Sequence, residues 1–430
     1  MPASRLAPLA ACAAALLAAS CAPQPSGTPW ANVREATPAF LASAAAADPS
    51  LAVESGGRVA LTWVTRVGEG ADAWLSVSAD SGSHWSAPVR LNPSPGGVSS
   101  YAESRPVAAW GRNGLLVAAW AARREQHAGD DMGVRASADG GRTWGAMRRV
   151  NDDRSDPTSG YHGFAALDVL PDGRPLVAWV DGRTSAGLGG EDEPALAEIY
   201  ASTSADGGVS WSPNTWVAGD VCSCCRIAMA SSLEPDGSIA VAVAYRGAAR
   251  DLRDPRVVVS RDGGERFVLD TLVSADRWKL PGCPSVGPAL TLDGKGGHYM
   301  WFTGESPVDR SLPARPAPGV YLVPWRLDAG ASGAKRALTD SLVDVSRPML
   351  ASLGASTLVG AIGQAAGIPP RKVLAVRRLE PDGTLSRWLY LGSGVKSAAI
   401  AAQGEQAAWA AWAEQADGRT RVRVARLAPR

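Results

Sequence analysis

The chain has 430 residues, 46% of them hydrophobic and 20% charged, which is ample material for a large buried core. Lysine and arginine (43) nearly balance aspartate and glutamate (42), so no global basic field exists to recruit nucleic acid or an anionic membrane surface. Beyond the first 20 residues no apolar run is long enough for a transmembrane helix.

Arg5 supplies a short positive region, and Leu6 to Ala19 is an apolar stretch too short to span a bilayer; residues 1–20 therefore read as a secretory leader. The leader ends at Ala18-Ala19-Ser20-Cys21, a bacterial lipobox pattern that predicts cleavage before Cys21 and acylation of its sulfur. Ordinary signal-peptidase cleavage beside an incidental cysteine is the other reading. Ala22 after the cysteine, in place of Asp, predicts a lipid-anchored protein of the Gram-negative outer membrane, facing the periplasm or the exterior. Residues 21–47, rich in Ala, Pro and Ser, read as a tether.

From residue 48 to 430 the chain repeats one plan seven times, in units of about 50 to 66 residues. Each unit runs apolar strand, tight turn, strand ending in a bulky residue, loop, hairpin. The second strands are expected at Val59 to Val64, Leu115 to Trp120, Leu176 to Val180, Ile239 to Tyr245, His298 to Phe302, Thr357 to Ile362 and Ala407 to Trp412. Gly56-Gly57, Asn113-Gly114, Pro171-Asp172-Gly173, Pro235-Asp236-Gly237 and Asp293-Gly294 are hairpin turns ahead of them. The seventh unit shows only three clear strands, and Pro38 to Ala44 is expected to supply the fourth by pairing the two ends of the chain.

Four units carry a shared pattern, Ser-x-Asp-x-Gly-x-x-Trp or a near relative, starting at Ser78, Ser137, Ser204 and Ser260, which are 59, 67 and 56 residues apart. In each copy the aspartate (Asp80, Asp139, Asp206, Asp262) can accept backbone N–H bonds across the turn, and glycine can supply positive φ. The closing aromatic, Phe267 in the last copy, can cover the hairpin's apolar face. These boxes resemble the Asp-box, or bacterial neuraminidase repeat, of the sialidase superfamily, whose members are β-propellers. The likeness covers roughly residues 50 to 270 by motif and the remainder by rhythm. Sialidases have six blades, whereas the unit count here is seven. The expectation is an all-β propeller of seven four-stranded blades, with six as the alternative.

In such a propeller the segments leading into the innermost strands share one face around the central funnel, and the boxed hairpins lie on the other. Arg105, Arg226 and Arg347 open innermost strands 121 residues apart, in the second, fourth and sixth blades. Three guanidinium groups facing one axis could bind a carboxylate, although alternate blades would spread them around the funnel. Each could instead pair with a loop carboxylate such as Glu103, Asp220 or Asp344. Sialidases hold their substrate carboxylate with an arginine triad whose first member belongs to Arg-Ile-Pro, and Arg105-Pro106-Val107 resembles that motif in part. The resemblance implies an exo-glycosidase acting on acidic glycans, with a Tyr nucleophile, an assisting carboxylate and an acid. Tyr101, Glu103 and Asp181 are the candidates on the funnel side, with His162 as a substrate-binding residue. Tyr101 can equally be a packing residue, and Asp181-Gly182-Arg183 a local ion pair.

Once Cys12 leaves with the leader and Cys21 is acylated, four cysteines remain, Cys222, Cys224, Cys225 and Cys283, at successive funnel openings. Two disulfides are one reading, with one of the adjacent pair Cys224 and Cys225 bridging to Cys283 and the other meeting Cys222. A soft ion, Cu(I) or Zn(II), held by converging thiolates is the other; no cofactor is otherwise required. No glycine-rich phosphate loop opens a helix, so nucleotide use has no support. Two function classes follow: a lipid-anchored sialidase-like hydrolase, or a non-hydrolytic propeller binding a glycan, a small anion or a soft ion through a cysteine-bordered funnel. In both cases a monomer is expected.

Overall fold

A computed structural model describes residues 29–430 apart from 101–102, 125–128, 154–159, 185–195, 295, 306–315, 329, 339, 366–370 and 417. The leader, Cys21 and Tyr101 lie outside the described residues.

Seven antiparallel sheets follow one another along the chain. In the first blade Ala47–Val53, Val59–Val67, Gly70–Ser78 and Val89–Arg90 pair in sequence order, from innermost to outermost strand. The same order recurs in the next five blades, whose innermost strands are Val107–Trp110, His162–Val169, Ala228–Leu233, Ala289–Leu290 and Leu342–Leu353. Seven blades, not six, make the ring. Among the described residues no helix is long and apolar enough to cross a membrane.

The seventh blade is assembled from both ends of the chain. Val395–Gln403, Ala407–Ala416 and Arg419–Pro429 form its inner three strands, and Trp30–Glu35 pairs antiparallel with the last of them, Val33 opposite Leu427. The closing strand is therefore not Pro38 to Ala44. Ala39–Leu41 forms a short 3-10 turn instead, and Leu41 is buried against the first and seventh blades. Pro38 has no N–H to give a ladder, while the 30–35 stretch offers an unbroken set of donors.

Seven apolar clusters hold the ring, each spanning one blade and its neighbour, and the last joins the seventh blade to the first. Four second strands place a buried tryptophan at their fifth residue: Trp63, Trp120, Trp179 and Trp301. A large flat side chain at that position fills the widening gap between twisted sheets.

The four repeated patterns each form the hairpin between third and fourth strands. In the second blade Asp139 Oδ1 accepts from the N–H groups of Arg142 (3.0 Å) and Thr143 (2.9 Å), and Ser137 Oγ accepts from Gly141 N–H (2.8 Å). Asp80, Asp206 and Asp262 repeat the arrangement on the amides of His84, Ser210 and Arg266. Gly140 and Gly141, at φ of 79° and 89°, take conformations that a Cβ would strain. These hydrogen bonds stabilise the ionised carboxylates, so all four aspartates titrate below the ordinary range.

Candidate functional site

Antiparallel meanders fix the faces. Turns between first and second strands share a face with the boxed hairpins, and the segments that enter each innermost strand share the opposite one. Glu103, Arg105 and Arg226 belong to the latter group, Arg347 stands at an irregularity of pairing within the innermost strand Leu342–Leu353, and the three arginines meet in spite of their alternate-blade origin. Residues opening innermost strands lie at the narrowest part of the ring, where a long guanidinium side chain reaches across the axis.

The centre is closed. Arg226 Nε donates to Glu103 Oε1 at 3.0 Å, and Arg347 Nη1 lies 3.6 Å from the same oxygen. Glu103 Oε2 accepts from Gly287 N–H. The remaining Arg226 nitrogens donate to the carbonyls of Pro288 and Pro348, and Arg105 Nη1 donates to those of Pro49 (3.1 Å) and Ala398 (2.6 Å). The arginines thus tie together the inner ends of most blades. Burial, reinforced by the nearby Arg226 charge, brings Arg105 down to about 10. The cavity lined by Glu103, the three arginines, Met349, Ser397 and Ala398 has a free volume of about 10 Å³, room for about one water. Of the three carboxylates weighed for pairing, Glu103 takes the role; Asp344 faces Lys372 at 3.2 Å.

Asp181 and His162 do not join this centre. Both side chains are fully buried in a separate ionic network inside the third blade. His162 Nδ1 lies 2.6 Å from the Asp130 carbonyl, and Nε2 lies 3.1 Å from Asp153 and 3.3 Å from Asp181. Arg183 Nη2 grips Asp181 at 2.8 Å, and Trp179 Nε1 donates to it at 2.7 Å. Burial alone would make His162 less basic, but its hydrogen bonds to Asp153 and Asp181 prevail and raise it to about 9. Its fully buried ring is held between the Asp153 and Asp181 carboxylates and is not on the surface of the funnel. Of the expected catalytic trio, Glu103 is the counter-ion of Arg226, Asp181 belongs to the separate network, and Tyr101 is outside the described residues.

The sulfur residues gather beside the arginine centre, since Cys225 precedes Arg226 and Cys283 lies four residues before Gly287. Cys224 and Cys283 form a disulfide with Cα atoms 6.0 Å apart. Cys222 and Cys225 are unbridged and buried, their Sγ atoms 3.0 Å apart, and Cys222 Sγ lies 3.6 Å from Cys224 Sγ. A hydrogen bond from Cys225 overcomes burial and pulls Cys222 below an ordinary thiol, with support from the Cys224 N–H, Arg246 and Arg253; Cys225 is pushed well up by burial. Arg246 and Arg253, both buried, bond to backbone carbonyls around the cluster, including Val286 and Gly282. The sequence reading missed this pair, although a charge ending the apolar run Ile239 to Tyr245 was a visible signal. With Cys224 and Cys283 joined, two thiols remain. That donor set suits Cu(I), which accepts few soft ligands, and falls short of the four that a structural zinc requires.

No family model matches the sequence, and no curated protein matches it. Among solved structures the polysaccharide lyase Uly1 is similar over 90% of this chain and 90% of its own, at 11% identity and a TM-score of 0.53. An ulvan lyase of family PL25, bound to a glucuronate–sulfated rhamnose unit, is similar over 89% and 94%, at 8% identity and 0.53. The NanB sialidase from Streptococcus pneumoniae aligns over 93% of this chain and 71% of its own, at 10% identity and 0.44. These neighbours are carbohydrate-active proteins, and at such identities what they share with this chain is the propeller fold.

Proposed function

We propose that this protein is a non-hydrolytic propeller of the bacterial envelope, anchored through acylated Cys21, whose ligand chemistry lies in the cysteine-bordered funnel mouth and not in an exo-sialidase centre. The observation that carries this reading is the closure of the arginine cavity. Glu103 and four backbone carbonyls already engage the guanidinium groups of Arg105 and Arg226, Arg347 lies 3.6 Å from the same carboxylate, and a free volume of about 10 Å³ leaves little room for a sugar carboxylate among them. The two buried thiols of Cys222 and Cys225 face each other, an arrangement suited to a soft ion such as Cu(I).

The sialidase-type reading retains one favourable observation, the convergence of Arg105, Arg226 and Arg347 on a single cavity. One set of preparations separates the two. The mature chain with Cys224→Ser and Cys283→Ser, which keeps only the buried thiol pair in the cluster, should when purified without oxygen take a single Cu(I) from a colorimetric chelator, and adding Cys222→Ser or Cys225→Ser should abolish the transfer. The parent chain at high loading should leave a fluorogenic sialoside intact. Turnover that disappears in Arg226→Ala would overturn the proposal in favour of an acidic-glycan hydrolase.

A further inference from the structure

The four sulfurs are graded in exposure. Cys222 and Cys225 are buried, Cys224 is half-buried, and Cys283 is exposed with its Sγ 3.1 Å from Ser285 Oγ. The sulfurs are in contact along this series, 3.0 Å within the buried pair, 3.6 Å from Cys222 to Cys224, and bonded from Cys224 to Cys283. A static staple needs neither the gradient nor a second thiol in contact with the bridged sulfur. Thiol–disulfide exchange needs both, because the attacking thiolate must touch one sulfur of the bond and the leaving sulfur must depart toward solvent or a partner.

We propose that Cys222, Cys225, Cys224 and Cys283 form a disulfide-exchange relay that carries two electrons between the buried thiol pair and the surface, and so decides when that pair is open to a ligand. In the first step the Cys222 thiolate attacks Cys224 Sγ; the Cys222–Cys224 bond forms, the Cys224–Cys283 bond breaks, and Cys283 leaves as a thiolate beside the Ser285 hydroxyl. In the second, Cys225 gives up its proton and its thiolate attacks Cys222 Sγ. The Cys222–Cys225 disulfide forms and Cys224 leaves as a thiolate that takes up a proton. Oxidation of the buried pair is thus matched by reduction of the outer pair, with no external oxidant. The reduced outer pair can then act on a disulfide of a small molecule or a partner protein: Cys283 attacks it, expels one thiolate and forms a mixed disulfide, and Cys224 resolves this by releasing the second thiolate and restoring the Cys224–Cys283 bridge. Arg253 Nη2 donates to the Gly282 carbonyl at 3.1 Å, which keeps the Cys283 loop against the cluster while its sulfur changes partners.

This inference rests on the reading that the sulfur cluster carries the chemistry, but it is tested without a metal. The mature chain holding one disulfide is equilibrated without oxygen at neutral pH, quenched in acid, alkylated and mapped by mass spectrometry. Label is expected on Cys224 and Cys283 as well as on Cys222 and Cys225, together with a Cys222–Cys225 linked peptide. Oxidised glutathione should become attached to Cys283 in Cys224→Ser, where the resolving sulfur bonded to Cys283 is gone. In Cys222→Ser, label on Cys224 and Cys283 should be lost while the thermal transition stays cooperative. Label on the outer pair that survives Cys222→Ser would overturn the relay, as would two bridges that never exchange with millimolar glutathione. Cu(I) uptake by the chain carrying Cys224→Ser and Cys283→Ser involves no exchange. Retained uptake with absent exchange therefore sinks only the relay, and the converse sinks only the ion.

Discussion

Replacing Glu103 by Ala is the sharpest probe of the closed arginine centre. Its carboxylate is 5% exposed, bonds Arg226 at 3.0 Å, faces Arg347 at 3.6 Å and caps the Gly287 amide. No other carboxylate lines that cavity among the described residues. Removing one partner of a buried ion pair costs about 3–5 kcal/mol, because the remaining charge stays desolvated and unpaired. Unfolding entropy of about 2.1 cal/mol/K per residue gives a ring of this size about 0.8 kcal/mol/K, so Tm should fall by about 4 to 6 °C. The vacated space is shaped for a small carboxylate. Formate or acetate at about thirty times its Kd should recover about 2 kcal/mol in the variant and almost nothing in the parent chain. Differential scanning calorimetry with chloride as the control reads both effects. A Tm within about 1 °C of the parent, or equal stabilisation of both chains by formate, would refute the closure, since it would mean that Glu103 does not hold the arginines.

Three further outcomes follow from the same structure. The pKa of His162 is raised from 6.5 to about 9, so its contribution is complete below pH 6.5 and is lost as pH rises through about 9; the unfolding free energy of the parent chain from denaturant titration, relative to His162→Gln, should decline over that window by up to about 3 kcal/mol. Truncation to a chain starting at Ala36 removes the strand paired with Arg419–Pro429 and leaves a bare edge, so light scattering should detect association absent from the full chain. Asp139→Ala should speed hydrogen exchange at the Arg142 and Thr143 amides, which lose their acceptor, and leave the Leu116–Arg123 strand unchanged.

Much of the fold is legible in the sequence, because its signals are local. A second strand such as Pro175–Asp181 is buried on both faces and reads as an apolar run after Pro171-Asp172-Gly173, and each boxed hairpin is held by bonds between residues at most four apart. The closing strand escaped because an outermost strand is mostly exposed and its partner lies at the far end of the chain; only Trp30 in it is buried, and Glu35 meets Arg423. At the candidate site the sequence determined which residues stand on the funnel face and which cysteines are neighbours. Tertiary structure alone decided that three arginines 121 residues apart converge on Glu103, that Asp181 and His162 turn inward onto Asp153, and that Cys224, not Cys225, reaches Cys283. Periodicity and turn chemistry act over a few residues. Where a side chain meets its partner depends on how the tilts of seven blades add up around the axis, and no short stretch of chain encodes that sum.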